Sequence, residues 1–461
     1  MKLENTPNQE IITIVEAQRA FFRSGETLSL KHRQKALCTL SKALKLWESR
    51  IAEALWKDLH KSYEEAYMTE LSIVLGEIDN HLRHLKRWTT PKPVATPIKM
   101  MPSRSKVMAE PLGCSLIMAP WNYPVQLLLN PLVGAISSGC TAILKPSPYV
   151  PHVSKVLEEM IKESFSPEYI AVVQGNREVN TALLEQRFDI IFFTGSPDLG
   201  RKVMRAASEH LTPVVLELGG KSPCIVDKDA NLTMAARRIA WGKSLNAGQT
   251  CIAPDYLLVH ADIKEQLICE LKKEFTRLHG ANPKEAKHFV RIVNERAFDR
   301  LVGYIQGADV VMGGEYDREE RYIAPTLIDH VDANSPIMQE EIFGPIFPIV
   351  TFSTTEEAIG FVTNREKPLA LYYFGESKKN IRQVLKHTSS GGACINDTIM
   401  HIANEKLPFG GVGQSGMSAY HGKESFKVFS HHRAVVTTPT WLDLPFRYMP
   451  YKFFKWVKKL L

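Results

Sequence analysis

No run of this chain approaches the ~20 unbroken apolar residues that a membrane-spanning helix requires. Its first ten residues, MKLENTPNQE, hold no apolar signal core, so no directed export is expected. Paired cysteine motifs are missing too. The seven cysteines (Cys38, Cys114, Cys140, Cys224, Cys251, Cys269 and Cys394) are odd in number and widely spaced, with no C-x-x-C. That argues against a disulfide framework or a zinc cage and fits a reducing, cytoplasmic setting. A basic face for nucleic acid is also lacking, although the net charge is +7. Five of those charges (Arg447, Lys452, Lys455, Lys458 and Lys459) lie in the last fifteen residues, leaving about +2 over the other 446. Composition therefore gives no reason to expect nucleic acid as a partner. His81 and His84 share a helical face, but "NHLRHLKRW" reads as basic and solvated and no third ligand accompanies them, so no metal is expected. There is no G-x-S-x-G nucleophile elbow, and "NLT" at 231 reads as a chance sequon.

What is present is a long soluble-type chain. Its 461 residues suggest two or three domains, and 44% apolar with 23% charged residues is an ordinary globular balance. Residues 7–89 carry apolar positions at helical spacing, beginning with Ile11, Ile14, Ala17 and Phe21. Prolines and alternation at 89–113 break that pattern and suggest a hairpin-like excursion. From 115 to 220 five apolar runs, "SLIMAP", "TAILKPS", "IAVVQG", "DIIFFTG" and "PVVLELGG", alternate with four helical segments. This is the order of a doubly wound parallel sheet, which binds ligands at the carboxyl ends of its strands. A second α/β series runs from about 222 to 400 through "SPCIVD", "YLLVHAD", "PIFPIVTF", "LALYYFG" and "GGACIND". The two halves are expected to meet in a cleft.

Three glycine-rich stretches compete for a phosphate. "GVGQSG" at 411–416 matches G-x-G-x-x-G by letter but follows no strand, so a turn is the better reading. "GGKS" at 219–222 fails because Val215 stands where a phosphate loop requires glycine. "FFTGSPDLGRKVM" at 192–204 has the right context: a strand ending at Gly195, Ser196 placed to cap a helix, and Gly200 in its first turns. Free N–H groups there suit a phosphate, and a simple capped helix start suits the same letters.

One cysteine stands apart. In "NAGQTCIAP" the nearest charge before Cys251 is Lys243, so any thiolate stabilisation must come from backbone dipoles, a cofactor's charge or a distant base. A buried structural cysteine is the competing reading, and it is taken for the other six. Glu217, at the end of the apolar run "PVVL", would have its charged form disfavoured by burial and its basicity raised.

Taken together, "APWNYP" at 119, "KPSP" at 145, "FTGS" at 193, "ELGGKSP" at 217, "NAGQTC" at 246, "EEIFGP" at 340 and "LPFGGVGQSG" at 407 resemble the aldehyde dehydrogenase superfamily. The end of the chain resembles its class 3 branch, which includes fatty aldehyde dehydrogenases. The resemblance implies an α/β fold of the aldehyde dehydrogenase type. Its parts would be a Rossmann-type dinucleotide-binding domain (1–92 and 111–216), a second α/β catalytic domain (217–420), a small β oligomerisation element (93–110 and 421–440) and a basic amphipathic tail (441–461). It implies NAD- or NADP-dependent oxidation of medium- or long-chain aliphatic or aromatic aldehydes to acids, through a covalent thiohemiacetal and thioester, in a homodimer.

By that resemblance Cys251 is the nucleophile, Asn122 an uncharged donor to the oxyanion, and Glu217 the base that activates water. Lys145 would bind the adenosine ribose, Gly195, Ser196 and Gly200 the pyrophosphate region, Glu341 the nicotinamide ribose with a share in base duty, and Phe343 the nicotinamide. Glu217 weighs against a coenzyme A-acylating variant, and the joint presence of Cys251, Glu217 and Asn122 against a non-catalytic dinucleotide-binding protein. In the tail, Phe453, Phe454, Val457 and Leu461 would share one helical side and Lys452, Lys455 and Lys459 another. That side would dock on this protein or its dimer partner, or contact a membrane peripherally.

One departure from the family pattern generates a prediction. Pro148 stands where an acidic residue commonly follows KPS. Such an acid accepts from the ribose 2′-OH and repels a 2′-phosphate. Comparable kcat/KM with NAD and NADP is expected, and a preference for NAD of about a thousandfold, roughly 4 kcal/mol, refutes it.

Overall fold

The computed structural model describes residues 3–443, 445, 448–451 and 453–460. The helical periodicity of the first ninety residues appears as Asn8–Arg23, Leu30–Leu59 and Ser72–Thr89. The last is entered through a short helix, Tyr63–Ala66, and a π-helical turn, Tyr67–Leu71.

The five apolar runs that follow form a parallel sheet. Across it lie Ile170–Val172, Thr141–Lys145, Cys114–Met118, Ile190–Gly195 and Val214–Leu218, with Gly416–Met417 antiparallel on the last edge. A sheet covered on both faces needs apolar residues at every position rather than alternate ones, and Cys114–Met118 and Thr141–Lys145 are buried throughout. The crossover helix Gln126–Ser138 is buried at every residue because Ser72–Thr89 and Lys423–Val428 cover it. Strand order reverses between Cys114–Met118 and Ile190–Gly195. Crossovers leave that point toward opposite faces and open a crevice.

The second sheet runs Asp309–Met312, Thr326–Asp329, Ile346–Phe352, Tyr256–His260, Pro223–Val226, Ala370–Phe374 and Gly392–Ile395. The first two were not read from sequence. Each is four residues long, and a register shift at Val310/Met312 interrupts their pairing, so neither makes a continuous apolar run. A third, antiparallel sheet joins Lys92–Val94, Arg104–Pro111 and Ser430–Thr437, the last two paired from Pro111↔Ser430 to Arg104↔Thr437.

The structure departs from the sequence reading in several places. The boundary drawn at 216/217 falls inside Val214–Leu218, so Glu217 stands on the first sheet. Lys423–Val428 packs on the first sheet's layer, with Phe426 5.7 Å from the Trp88 ring, and only Ser430–Thr437 belongs to the small sheet. His81 is not solvated: it is fully buried between Ser137 and Glu77. Cys38 and Cys269 are exposed rather than buried. The tail forms a helix, Phe454–Leu460, preceded by Phe453; Phe453 and Phe454 are 50% and 61% exposed, so neither docks on its own chain. Lys452 and Leu461 lie outside the described residues. Among the described residues no helix is long and apolar enough to cross a membrane.

Candidate active site

A cavity of about 860 Å³ opens where the strand order reverses, walled by Ala119, Trp121, Lys145, Pro148, Gly195 and Ser196. At Ser196 and Asp198 it meets a second space of about 1190 Å³, bounded by Gly219, Arg300, Glu341 and Gln414. Lys145 is 2% exposed, donates to the Pro146 carbonyl at 2.8 Å and forms no ion pair among the described residues. Burial lowers its ammonium to about 8. A cation desolvated at a cavity wall suits a hydroxylated or anionic ligand.

Helix Pro197–Ser208 begins at the same wall. Ser196 occupies the cap position with extended backbone, but its hydroxyl makes no capping bond. The first-turn N–H groups thus keep their capacity for an anion. Gly195 faces the Phe193 ring, where an added Cβ would lie 2.5 Å from Cζ. Gly200 faces Leu218, where an added Cβ would lie 2.9 Å from Cδ2, so its bare backbone serves the contact between helix and strand. Arg201 pairs with Asp198 at 2.7 Å and reaches Gln414 at 2.6 Å. The crevice, the unpaired Lys145 and the uncapped helix start fit a dinucleotide.

Cys251 follows three consecutive left-handed residues, Asn246, Ala247 and Gly248, with φ of 51°, 52° and 71°. Gly248 meets the Gly344 carbonyl so closely that a Cβ would lie 2.8 Å from its carbon. Cys251 is partly exposed, whereas Cys114, Cys140, Cys224 and Cys394 are buried. Its thiol is pushed well up by burial and then by Glu341 and Glu217, with the N–H groups of Cys251 and Ile252 opposing. The resting side chain is a thiol, and its proton must leave to a base.

Two carboxyls lie within its electrostatic reach, and each is a base only in its ionised form. Glu217 is 3% exposed, neither oxygen has a hydrogen-bond partner among the described residues, and burial drives its carboxyl well above the ordinary range. Glu341 is raised to about 8 by burial and by Asp255, opposed by the Gly220 N–H and Lys221. A Cβ on Gly219 would strike the Glu341 carboxylate. Lys221 pairs with Asp255 at 2.5 Å, Asp255 accepts from the Ile342 N–H at 2.9 Å, and Arg300 donates to the Ile342 carbonyl at 2.6 Å, which holds the loop. Phe343, left-handed at φ 51°, stands edge-on to Trp121 with centroids 5.4 Å apart. The "GVGQSG" turn gains a role here, because Gly416 pairs directly with Glu217 at the sheet edge.

Asn122 is 2% exposed and donates through Nδ2 to the Gln249 carbonyl at 3.0 Å, while Tyr123 hydrogen-bonds Thr250 at 2.7 Å. The "PWNYP" loop is thus bound to the loop that carries Cys251. Three residues without a motif to mark them reach these loops: Lys61 and Glu70 the "PWNYP" loop, and Glu65 the loop that carries Cys251. In "HKSYEEAYMTEL" they look like ordinary charges on a helical surface, and no spacing marks them.

Glu341 thus lines the second space, whereas Cys251, Glu217 and Asn122 are not among the residues lining either one; Cys251 lies within electrostatic reach of Glu341 and Glu217. The chain belongs to the aldehyde dehydrogenase family, whose model matches residues 1–435. It is similar to the 4,4′-diaponeurosporen-aldehyde dehydrogenase of Staphylococcus aureus, with 48% identity over 95% of this chain and 96% of that one. It is 44% identical to a Canis lupus familiaris protein named aldehyde dehydrogenase, dimeric NADP-preferring, over 96% and 98% of the two chains. A solved substrate-bound state of Staphylococcus aureus AldH superposes with TM-score 0.96 at 47% identity, covering 98% of this chain and 99% of that one. NAD(P)-dependent aldehyde oxidation is accordingly its activity, and its relatives place it in the class 3 branch.

Two predictions follow from the loop and from Glu217. Gly248→Ala places a Cβ against Gly344 at positive φ, a conformation costing about 1–2 kcal/mol before any clash; a lower Tm and reduced turnover are expected, and unchanged values refute the close approach. A carboxyl whose folded pKa exceeds its unfolded value of roughly 4.3 destabilises the fold increasingly as pH rises past that unfolded value. The Tm of Glu217→Gln relative to wild type should therefore rise between about pH 5 and pH 8; a constant difference contradicts the buried neutral carboxyl.

Proposed function

We propose that Cys251 carries the acyl group. Its Sγ bonds to the aldehyde carbon as the S–H proton leaves to a carboxylate, and the carbonyl oxygen becomes an alkoxide. Asn122 Nδ2–H and the Cys251 N–H hold that oxygen; neither is a strong acid, so the alkoxide keeps the charge that expels hydride. Bound NAD(P) supplies the hydride acceptor. Glu217, in its ionised form, then removes a proton from water, the hydroxyl adds to the thioester carbon, and Sγ leaves with the bonding pair. Lys145 and the start of helix Pro197–Ser208 hold the dinucleotide, and Glu341 holds its nicotinamide ribose and shares base duty. Phe343 and Trp121 wall that end of the crevice.

The observation that carries this reading is a partly exposed Cys251 on a left-handed loop, within electrostatic reach of two desolvated carboxyls. Glu217 disfavours transfer to coenzyme A, which needs no base for water. The substrates are apolar aldehydes, medium- or long-chain aliphatic or aromatic, as in the class 3 branch. A homodimer is supported by exposed apolar residues in and beside the small sheet, among them Val94, Ile98, Met101 and Val436. We place the protein in the cytoplasm, its basic aromatic tail docking on the partner protomer; peripheral membrane contact is the competing use of that tail.

The test is NADH and NADPH formation over aliphatic and aromatic aldehydes, with 4,4′-diaponeurosporen-aldehyde included, beside Cys251→Ser. Loss of a nucleophile of this kind lowers kcat by about 10³-fold or more. A fully active serine variant overturns the mechanism.

A further inference from the structure

We propose that Lys61, with Glu65 and Glu70, forms a positioning cluster that sets the oxyanion donor Asn122 against the nucleophile loop; the inference rests on the reading of Asn122 given above. Lys61 and Glu70 are both fully buried and 2.6 Å apart. Taking such a pair out of water costs several kcal/mol per ion, regained only with excellent geometry and further hydrogen bonds. The further bonds of this pair go to the "PWNYP" loop and to the start of the helix that follows it.

Lys61 Nζ donates to the Asn122 backbone carbonyl at 3.1 Å and lies 4.2 Å from the centroid of the Tyr123 ring. The second oxygen of Glu70 accepts from the N–H groups of Val125 and Gln126, at 2.8 and 3.4 Å, where the chain leaves "PWNYP" for its helix. Glu70 sits in the π-helical turn Tyr67–Leu71, a distortion that recurs at functional sites. Glu65 reaches the other loop and accepts from the Asn246 N–H at 2.8 Å, at the first of the three left-handed residues.

Asn246 closes the circuit. Its amide nitrogen donates to the Asn122 carbonyl and to the Gln249 carbonyl, each at 3.0 Å. The Gln249 carbonyl also receives Asn122 Nδ2 at 3.0 Å. Asn122 is therefore held at both ends, its peptide oxygen by Lys61 and Asn246 and its amide by Gln249. One of the two amide hydrogens is used by that last bond, and the other remains for the alkoxide. Gln249 is itself anchored, donating to the carbonyls of Asn246 and Arg291 and accepting from the Val293 N–H, each at 3.1 Å. Lys61 touches no reacting atom in this arrangement; it acts through Asn122.

A double-mutant cycle separates this role from ordinary structural support. The measured quantity is kcat/KM for one aldehyde in the wild type, Asn122→Ala, Lys61→Met and the double variant. Loss of an oxyanion donor lowers the rate by about 10²–10³-fold. Lys61→Met is expected to lose about 10-fold or more in the wild-type background and less than about threefold once Asn122 is gone, because residues acting as a unit are not additive. The KM for the nucleotide and the rate of Cys251 alkylation by iodoacetamide should stay within about twofold of wild type, since neither requires the donor. The same fold-loss in both backgrounds overturns the proposal. Wild-type kcat/KM in Asn122→Ala removes the oxyanion reading itself, and the proposal with it.

Because Lys61→Met leaves Glu70 buried without its partner, Lys61→Met/Glu70→Gln is run in parallel as the charge-neutral version, with the same expectation. Glu65 supplies an independent arm: Glu65→Gln keeps an acceptor oxygen for Asn246 and should recover most of the kcat/KM that Glu65→Leu loses. Equal losses in the two Glu65 variants also overturn the proposal.

Discussion

The whole arrangement depends on a turn of three left-handed residues, Asn246 to Gly248, pressed against the Gly344 carbonyl. Asparagine and glycine tolerate that conformation; Ala247 does not, at about 1–2 kcal/mol. The strain is retained because bonds on every side over-determine it: Glu65 on the Asn246 N–H, the Asn246 amide on two carbonyls, and the Gln249 side chain on three backbone groups. The turn lifts Cys251 out of the interior that encloses four of the other cysteines. Without it the sulfur would be one more small core residue.

Electrostatics at the site run against charge. Cys251, Glu217 and Glu341 are all pushed toward their neutral forms, chiefly by burial. A thiol that is not ionised at rest is protected from stray electrophiles and oxidants, since the thiolate is the reactive form. Reactivity then depends on a base taking the proton at the moment a carbonyl is in place. The same desolvation that weakens the resting nucleophile makes each carboxylate a stronger base once it is ionised, and it also keeps the ionised fraction small.

Much of this was legible in the sequence wherever the signal was a run or a motif. Five strands of the first sheet and five of the second announce themselves as apolar stretches, and the family motifs mark Cys251, Asn122 and Glu217. Short elements were lost: Thr326–Asp329 and Asp309–Met312 are too brief and irregular to show a period. Burial of polar residues was lost as well. His81 looks solvated among basic neighbours, yet its helix turns it toward Ser137 and Glu77, and Lys61 and Glu70 look like surface charges until the packing of Gln126–Ser138 closes over them. Pattern reading assigns charge to the outside, and these residues are inside because the backbone groups they satisfy are there.

The pairing of Gly416 with Glu217, and of Ser430–Thr437 with Arg104–Pro111, joins the end of the chain to its first half. During synthesis the ribosome releases the thiol loop more than 160 residues before the strand that completes its neighbour's sheet edge. A nascent chain therefore holds Asn122, Glu217 and Cys251 long before it holds the strand that pairs with Glu217. The edge of the sheet that carries Glu217 is closed only after residue 416 has been made, however early the rest of the crevice forms.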